Sequence, residues 1–211
     1  MRCMTTPTTR AAIACAVLVF AAAAPQGASA SPSDPALGKI WADFGLGYGH
    51  MSAGASAPVD SDAGGVWLDA QIGGRLSSQW LVGFDLCGVG IHAASSNYDP
   101  NNIYSSIYGQ TVSNMFLVAQ FEPQSDHGWW FGGGAGKVLY DNKGLEDVSG
   151  NKRSGNGTGG IARIGYDWPL RNRTHVEASL GYEFGRISLN APFTGSFDYS
   201  VVAVAAHFAY H

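Results

Sequence analysis

Apolar side chains recur at every second position along most of this chain. They do so in eight runs of about ten residues, at 40–50, 65–76, 80–91, 110–122, 129–140, 160–168, 174–185 and 199–211. A repeat of two is that of a β-strand whose two faces meet different surroundings. In the first run Ile40, Ala42, Phe44, Leu46 and Tyr48 share one face, while Trp41, Asp43, Gly45, Gly47 and Gly49 share the other. In the second, Val66, Leu68, Ala70 and Ile72 oppose Trp67, Asp69, Gln71 and Arg75. The later runs repeat the scheme, with Asp85, Glu122, Arg163, Asp167, Glu177 and Glu183 opposite an apolar row. The last run carries Val202, Val204, Ala206, Phe208 and Tyr210 on one side and contains no Gly or Pro. It reads as the strand that closes a barrel. No segment has a helical period.

The connections alternate in length. Those at 77–79, 123–128 and 169–173 are short, while those at 51–64, 92–109, 141–159 and 186–198 are long. Eight is an even number of strands, and about 9–11 residues cross a bilayer at a tilt. The pattern predicts an all-β fold, an eight-stranded antiparallel up-and-down transmembrane β-barrel. Trp80, Phe121, Trp129, Trp168, Phe208 and Tyr210 fall near the short-turn ends of their strands, and Tyr48, Tyr182 and Phe184 towards the other ends. Two such rings are expected where a membrane meets water.

Cost decides which face points out. A basic side chain on the lipid face costs about 2–4 kcal/mol at mid-bilayer and about 0–1 near its edges, with acidic ones costing less. Turning the barrel inside out would expose Asp43, Asp69, Gln71, Asp85, Gln120, Glu122, Arg163, Glu177 and Glu183. The chosen orientation exposes only Lys137, which can snorkel to a membrane edge or be turned over by a bulge. Inside, glycines make room for Trp41, Trp67 and Trp130. Arg75 and Arg163 are expected to pair with members of the set Asp69, Asp85, Glu122, Asp167, Glu177 and Glu183, because buried unpaired charge is expensive. Asp43 completes this interior polar network.

Composition supports a lipid-facing exterior. Charged residues make up 13% of the 211-residue chain, about half the usual share of roughly 25%. Residues 1–30 read as a secretory signal, with Arg2 and Arg10, an apolar run from Ala11 to Ala24 and the cleavage site Ala28-Ser29-Ala30. Residues 31–38 form a short leader and 39–211 the barrel domain. Removing the signal reduces the 12 basic residues to 10 against 16 acidic ones, a formal charge of −6. Nucleic-acid binding is excluded on that balance. Cys3 and Cys15 leave with the signal, so Cys87 has no partner for a disulfide.

With these strands, turns and loops the chain resembles the OmpA/OmpX-type family of small outer-membrane barrels over residues 39–211. The family's terminal aromatic corresponds to Tyr210, with His211 after it. The resemblance implies the outer membrane of a Gram-negative bacterium, with the N-terminus in the periplasm and delivery by the barrel-assembly machinery. It implies lipid and lipopolysaccharide as partners and long loops facing outwards. It does not imply one activity, since members include anchors, adhesins, narrow pores and lipid-modifying enzymes.

Candidate chemistry is sparse. His175, Glu177 and Ser179 share one face of one strand, so a base, an acid and a hydroxyl lie close together. Lipid A deacylases carry their His and Ser two residues apart, whereas these are four apart. The default for the trio is an internal hydrogen-bond network. No metal set and no cofactor motif emerges: His50, His92, His127, His175, His207 and His211 are scattered without ligand spacing. Asp141, Asn142, Glu146 and Asp147 lack the spacing of a calcium loop, and Asn156-Gly157-Thr158 reads as a flexible loop. Two loops are candidates for surface contact: 92–109 with Tyr98, Ile103, Tyr104, Ile107 and Tyr108, and 186–198 with Ile187, Leu189, Phe193 and Phe197. The alternative for both is that the strands run on and these side chains pack together. The expectation is a non-enzymatic barrel with a structural or surface-interaction role; a lipid A-modifying enzyme, a narrow pore, and a soluble periplasmic barrel with its apolar face inward around a ligand are the alternatives.

Overall fold

A computed structural model describes residues 40–54, 62–91, 109–124, 128–146, 152–171 and 173–210, with the backbone alone at 143–146, 152 and 171. The signal at 1–30, the leader at 31–38, most of the loop at 92–109, Asp147 and His211 lie outside the described residues. Eight strands form one closed barrel: β1 (Ile40–Ala53), β2 (Asp62–Arg75), β3 (Trp80–Ile91), β4 (Gln110–Phe121), β5 (Gly128–Glu146), β6 (Lys152–Arg171), β7 (Thr174–Leu189) and β8 (Ser196–Tyr210). Each pairs antiparallel with the next, and β8 returns to β1.

The register fixes the shape. Cα partners traced once around the wall run Ala42, Ile72, Phe84, Leu117, Ala135, Gly160, Phe184, Ser200 and back to β1 at Ser52, ten residues above the start. That stagger tilts the strands by roughly 40° and leaves an interior just wide enough to be filled by side chains. Glycine makes the filling possible. A Cβ on Gly165 would lie 2.4 Å from the Trp130 ring, so the indole occupies the space a side chain at 165 would need.

Three of the long connections are shorter than the periodicity predicts. β1 and β2 extend to Ala53 and from Asp62, β5 and β6 to Glu146 and from Lys152, and β7 and β8 to Leu189 and from Ser196. Asp141 and Asn142 therefore stand in a strand rather than a calcium-binding loop, and Asn156-Gly157-Thr158 lies in β6 rather than in a flexible loop. In the 186–198 segment, Ile187 and Phe197 are buried in the lumen rather than displayed. The run-on strands keep their pairing because backbone groups at the rim still need partners. β5 has 19 residues; at roughly 2.5 Å of rise per residue along the barrel axis it far exceeds an apolar band about 25 Å tall.

The wall changes polarity along its height. At the short-turn end and through the middle, Phe44, Leu46, Leu68, Ile72, Phe84, Leu117, Leu180 and Val204 face outwards and are about half exposed or more. The same strands turn Asp43, Asp69, Asp85, Gln120, Arg163 and Glu177 inwards, all buried. Beyond Tyr48 and Tyr182 the arrangement reverses. Met51, Val89, Ile91, Val112, Val138, Tyr140, Ile187, Phe197 and Val201 fill the lumen, while His50, Ser52, Asp62, Thr111, Ser113, Asn156, Thr158, Arg186, Ser188 and Asp198 are exposed outside. Among the described residues Leu139 is the large apolar exception on that upper exterior. Lys137 is exposed, between Met115 and Thr158 in the register. With the tilt included it comes level with the upper aromatics, where its ammonium reaches water.

Candidate functional site in the barrel lumen

The buried polar groups stack in three levels. At the short-turn end Arg75 Nη2 lies 2.7 Å from Glu122 Oε2, and Gln120 Nε2 donates to the other Glu122 oxygen at 3.2 Å. Beside them His175 Nδ1 lies 2.8 Å from Asp167 Oδ2. Trp41, Leu81 and Trp130 close the floor around these groups, each almost fully buried.

Above the floor is the densest level. Asp43 on β1, Asp69 on β2, Asp85 on β3, Arg163 on β6, Ser179 on β7 and His207 on β8 all point inwards and are buried. His207 Nδ1 lies 2.9 Å from Asp43 Oδ1 and 3.4 Å from Asp69 Oδ1, and its Nε2 lies 2.6 Å from Ser179 Oγ. Trp67 Nε1 donates to Asp69 Oδ2 at 3.0 Å. Arg163 Nη2 is 2.9 Å from Asp85 Oδ2 and 3.3 Å from Asp69 Oδ2, and its guanidinium lies 5.9 Å from the centre of the Trp67 ring. The third level joins Glu183 Oε1 to Asn114 Nδ2 at 2.6 Å and to Tyr199 Oη at 2.5 Å. The apolar cap begins above it.

The two arginines thus meet Glu122, Asp69 and Asp85. Removing one partner of such a buried pair costs about 3–5 kcal/mol, because the other is left charged and dry. Asp167 meets His175, and Glu183 meets neutral groups. Glu177 is buried at the level of Trp130. The trio His175, Glu177 and Ser179 divides between partners: His175 turns to Asp167 and Ser179 to His207. Cys87 is a free thiol buried beneath the cap.

Sequence reasoning placed His207 among scattered histidines. Its signal was its position on the inward face of β8, opposite the row of Val202, Val204, Ala206 and Phe208. Ser179, His207 and Asp43 are linked as hydroxyl, imidazole and carboxylate, the order of a nucleophilic triad. Here the hydroxyl is in a filled lumen and is walled from the bilayer by the barrel. The aromatic set at the short-turn end forms contacts outside: Trp80 with Phe121 at 5.0 Å and Tyr166 with Trp168 at 4.8 Å between ring centres, and Trp129 with Tyr166 at 5.3 Å. Phe208 and Tyr210 are exposed on the same end of β8.

No family model matches this sequence, and no curated protein matches it. Solved structures do. The crystal structure of Neisserial surface protein A superposes with a TM-score of 0.52 at 13% identity, covering 81% of this chain and 96% of that one. The fold is that of the small outer-membrane β-barrels. A second outer-membrane barrel, AlkL in lipid bilayers, gives a TM-score of 0.50 at 14% identity over 88% of this chain and 96% of its own. In an outer-membrane barrel the apolar exterior band faces lipid, and buried charges are compatible with the fold only if they are matched inside it. The levels from Arg75 to Glu183 meet that requirement in large part.

Proposed function

We propose that this chain is an integral outer-membrane barrel that neither conducts nor catalyses, and that it meets other molecules through its upper barrel and the connections there. The reversal of polarity along the strands carries this reading. A band apolar outside and charged inside suits a bilayer. A continuation polar outside and apolar inside suits water, so several residues of each long strand stand beyond the membrane as a rigid platform. Met51, Val89, Ile91, Val112, Ile187 and Phe197 fill the lumen above, and Trp41 and Trp130 fill it below, which supports a sealed body over a narrow porin-like channel. Lipid and lipopolysaccharide are then the partners of the outer band. Delivery follows from an exported leader and the barrel-assembly machinery, leaving the N-terminus in the periplasm of a Gram-negative cell.

The test uses the full chain with its leader, expressed in a Gram-negative host. The expected result is recovery with the outer membrane, a heat-dependent shift on a detergent gel, no steady conductance in planar bilayers, and an unchanged lipid A mass spectrum. Stable conductance would replace this reading with a pore, and an altered lipid A with an enzyme. Recovery as a detergent-free periplasmic protein would end it.

A further inference from the structure

We propose that Asp43, Asp69 and His207 form a binding site for one divalent transition-metal ion in the barrel lumen. The three residues come from β1, β2 and β8, and one ligand atom from each lies within 4.8 Å of the others. The cluster is more than a group of acids. It pairs one imidazole nitrogen with two carboxylate oxygens, a donor set that suits Zn²⁺ and its neighbours in the first transition row rather than Ca²⁺ or Mg²⁺.

Four observations converge on the same point. Asp69 Oδ1 is buried and makes no well-aligned hydrogen bond, with His207 Nδ1 3.4 Å away, although Asp69 is only 2% exposed. Its other oxygen is held by Trp67 Nε1 and faces Arg163, so the carboxylate is fixed with Oδ1 aimed at His207. Second, the spacing is close to that of a coordination shell. The donors of a tetrahedral site with bonds of about 2.0–2.1 Å stand about 3.3 Å apart. Here His207 Nδ1 stands 2.9 Å from Asp43 Oδ1 and 3.4 Å from Asp69 Oδ1, within a few tenths of an ångström of that value, and the third edge, between the two carboxylates, is within 4.8 Å.

Third, the far nitrogen of His207 has the partner that a ligating histidine needs. Nε2 can donate its hydrogen to Ser179 Oγ at 2.6 Å, which fixes the tautomer with the Nδ1 lone pair turned to the ion. Fourth, the wall leaves the room. Gly45 is the Cα partner of both Asp69 and His207. A Cβ there would lie 2.5 Å from Asp69 Oδ1 and 2.6 Å from His207 Nδ1. The missing side chain is what lets the two flanking ones converge above Asp43.

Charge supports the assignment. Asp43, Asp69 and Asp85 carry three negative charges at this level, and Arg163 supplies one positive charge beside Asp69 and Asp85. With His207 neutral, one divalent ion makes the group neutral in a dry lumen. The alternative is the triad arrangement, with the hydrogen on Nδ1 donated to Asp43 and Nε2 accepting from the Ser179 hydroxyl.

The experiment uses the full mature barrel extracted from outer membranes in detergent, treated with a chelator, then titrated with Zn²⁺. Free metal is removed and bound metal is measured by elemental analysis. About one equivalent is expected in the native protein. Asp69→Asn, His207→Gln and Gly45→Ala should each lower bound Zn²⁺ at least tenfold while keeping the heat-dependent gel shift. Glu183→Gln removes a carboxylate from the level above and should leave one equivalent. Less than a tenth of an equivalent in the native barrel would overturn the site, whatever the variants do. So would metal retained by Gly45→Ala and His207→Gln, or labelling of Ser179 by a fluorophosphonate at the native metal content, which would assign the cluster to nucleophilic chemistry.

Discussion

Below the level of Tyr48 and Tyr182 the strands keep Asp43, Asp69, Asp85 and Arg163 inside and Phe44, Leu46, Leu117 and Val204 outside. Above it they keep Met51, Val89, Ile187 and Phe197 inside and Ser52, Thr111, Arg186 and Asp198 outside. The strands and their pairing run on from one region into the other, with register shifts only near the ends of the β5–β6 and β6–β7 ladders, so the difference belongs to the solvent. Lipid cannot hydrogen-bond, so the lower wall sends polar groups to the lumen, where they satisfy one another. Water makes the opposite demand, and the upper wall buries its apolar side chains as an ordinary soluble barrel does. One molecule therefore has two kinds of interior, held together by charge pairs below and by packing above.

The largest effect is expected in the lower interior. Arg163→Met leaves Asp69 and Asp85 without their cation and should cost about 3–5 kcal/mol, read as a lower urea midpoint in lipid vesicles. A loss below about 1 kcal/mol would mean that the lower lumen is wet and its charges are solvated. In the upper interior Ile187→Ala should cost about 3 kcal/mol through lost burial and a cavity. The adjacent exterior change Ser188→Ala should stay within about 0.5 kcal/mol. Equal effects at these two neighbours would contradict a packed cap.

The exterior sharpens the boundary. Leu117→Arg places a cation on the lipid band and should cost about 2–4 kcal/mol, while Thr111→Arg, three turns of the pleat higher on β4, should cost about 0–1. Equal costs would erase the level at which the solvent changes. A small effect is also expected at the rim. Arg186 Nε lies 3.6 Å from Asp198 Oδ1 with both side chains about two-thirds exposed, so Arg186→Ala should change stability by less than about 1 kcal/mol.

Much of this was legible in the chain because a period of two writes each face in alternate letters. The apolar row Phe44, Leu46, Tyr48 and the polar row Asp43, Asp69, Asp85 were assigned to opposite faces from that period and the cost of charge in lipid. The same rule misread the upper ends. There Val89, Ile91, Val112 and Val138 stand on the face that carries aspartates lower down, and Thr111, Ser113 and Thr158 on the face that carries leucines. A strand that crosses from one solvent to another looks like a strand that stops, so 141–159 and 186–198 read as loops. The eight-strand count survived because the turn residues at the short-turn end are dense and brief.

The amino-acid sequence by itself determined the strands, their number, their lower faces and the surplus of buried acid, because these depend on local alternation and on composition. Which groups meet was decided only by closure and stagger. Asp43 and His207 are 164 residues apart, and no spacing rule joins them. They meet because β8 pairs with β1 in the register that sets His207 opposite Gly45, where the absent side chain lets Asp69 and His207 lean together. A shift of one residue would turn His207 to the outside wall. Contact across a closed sheet is fixed by the whole ring of pairings, and no single segment of the chain contains that information.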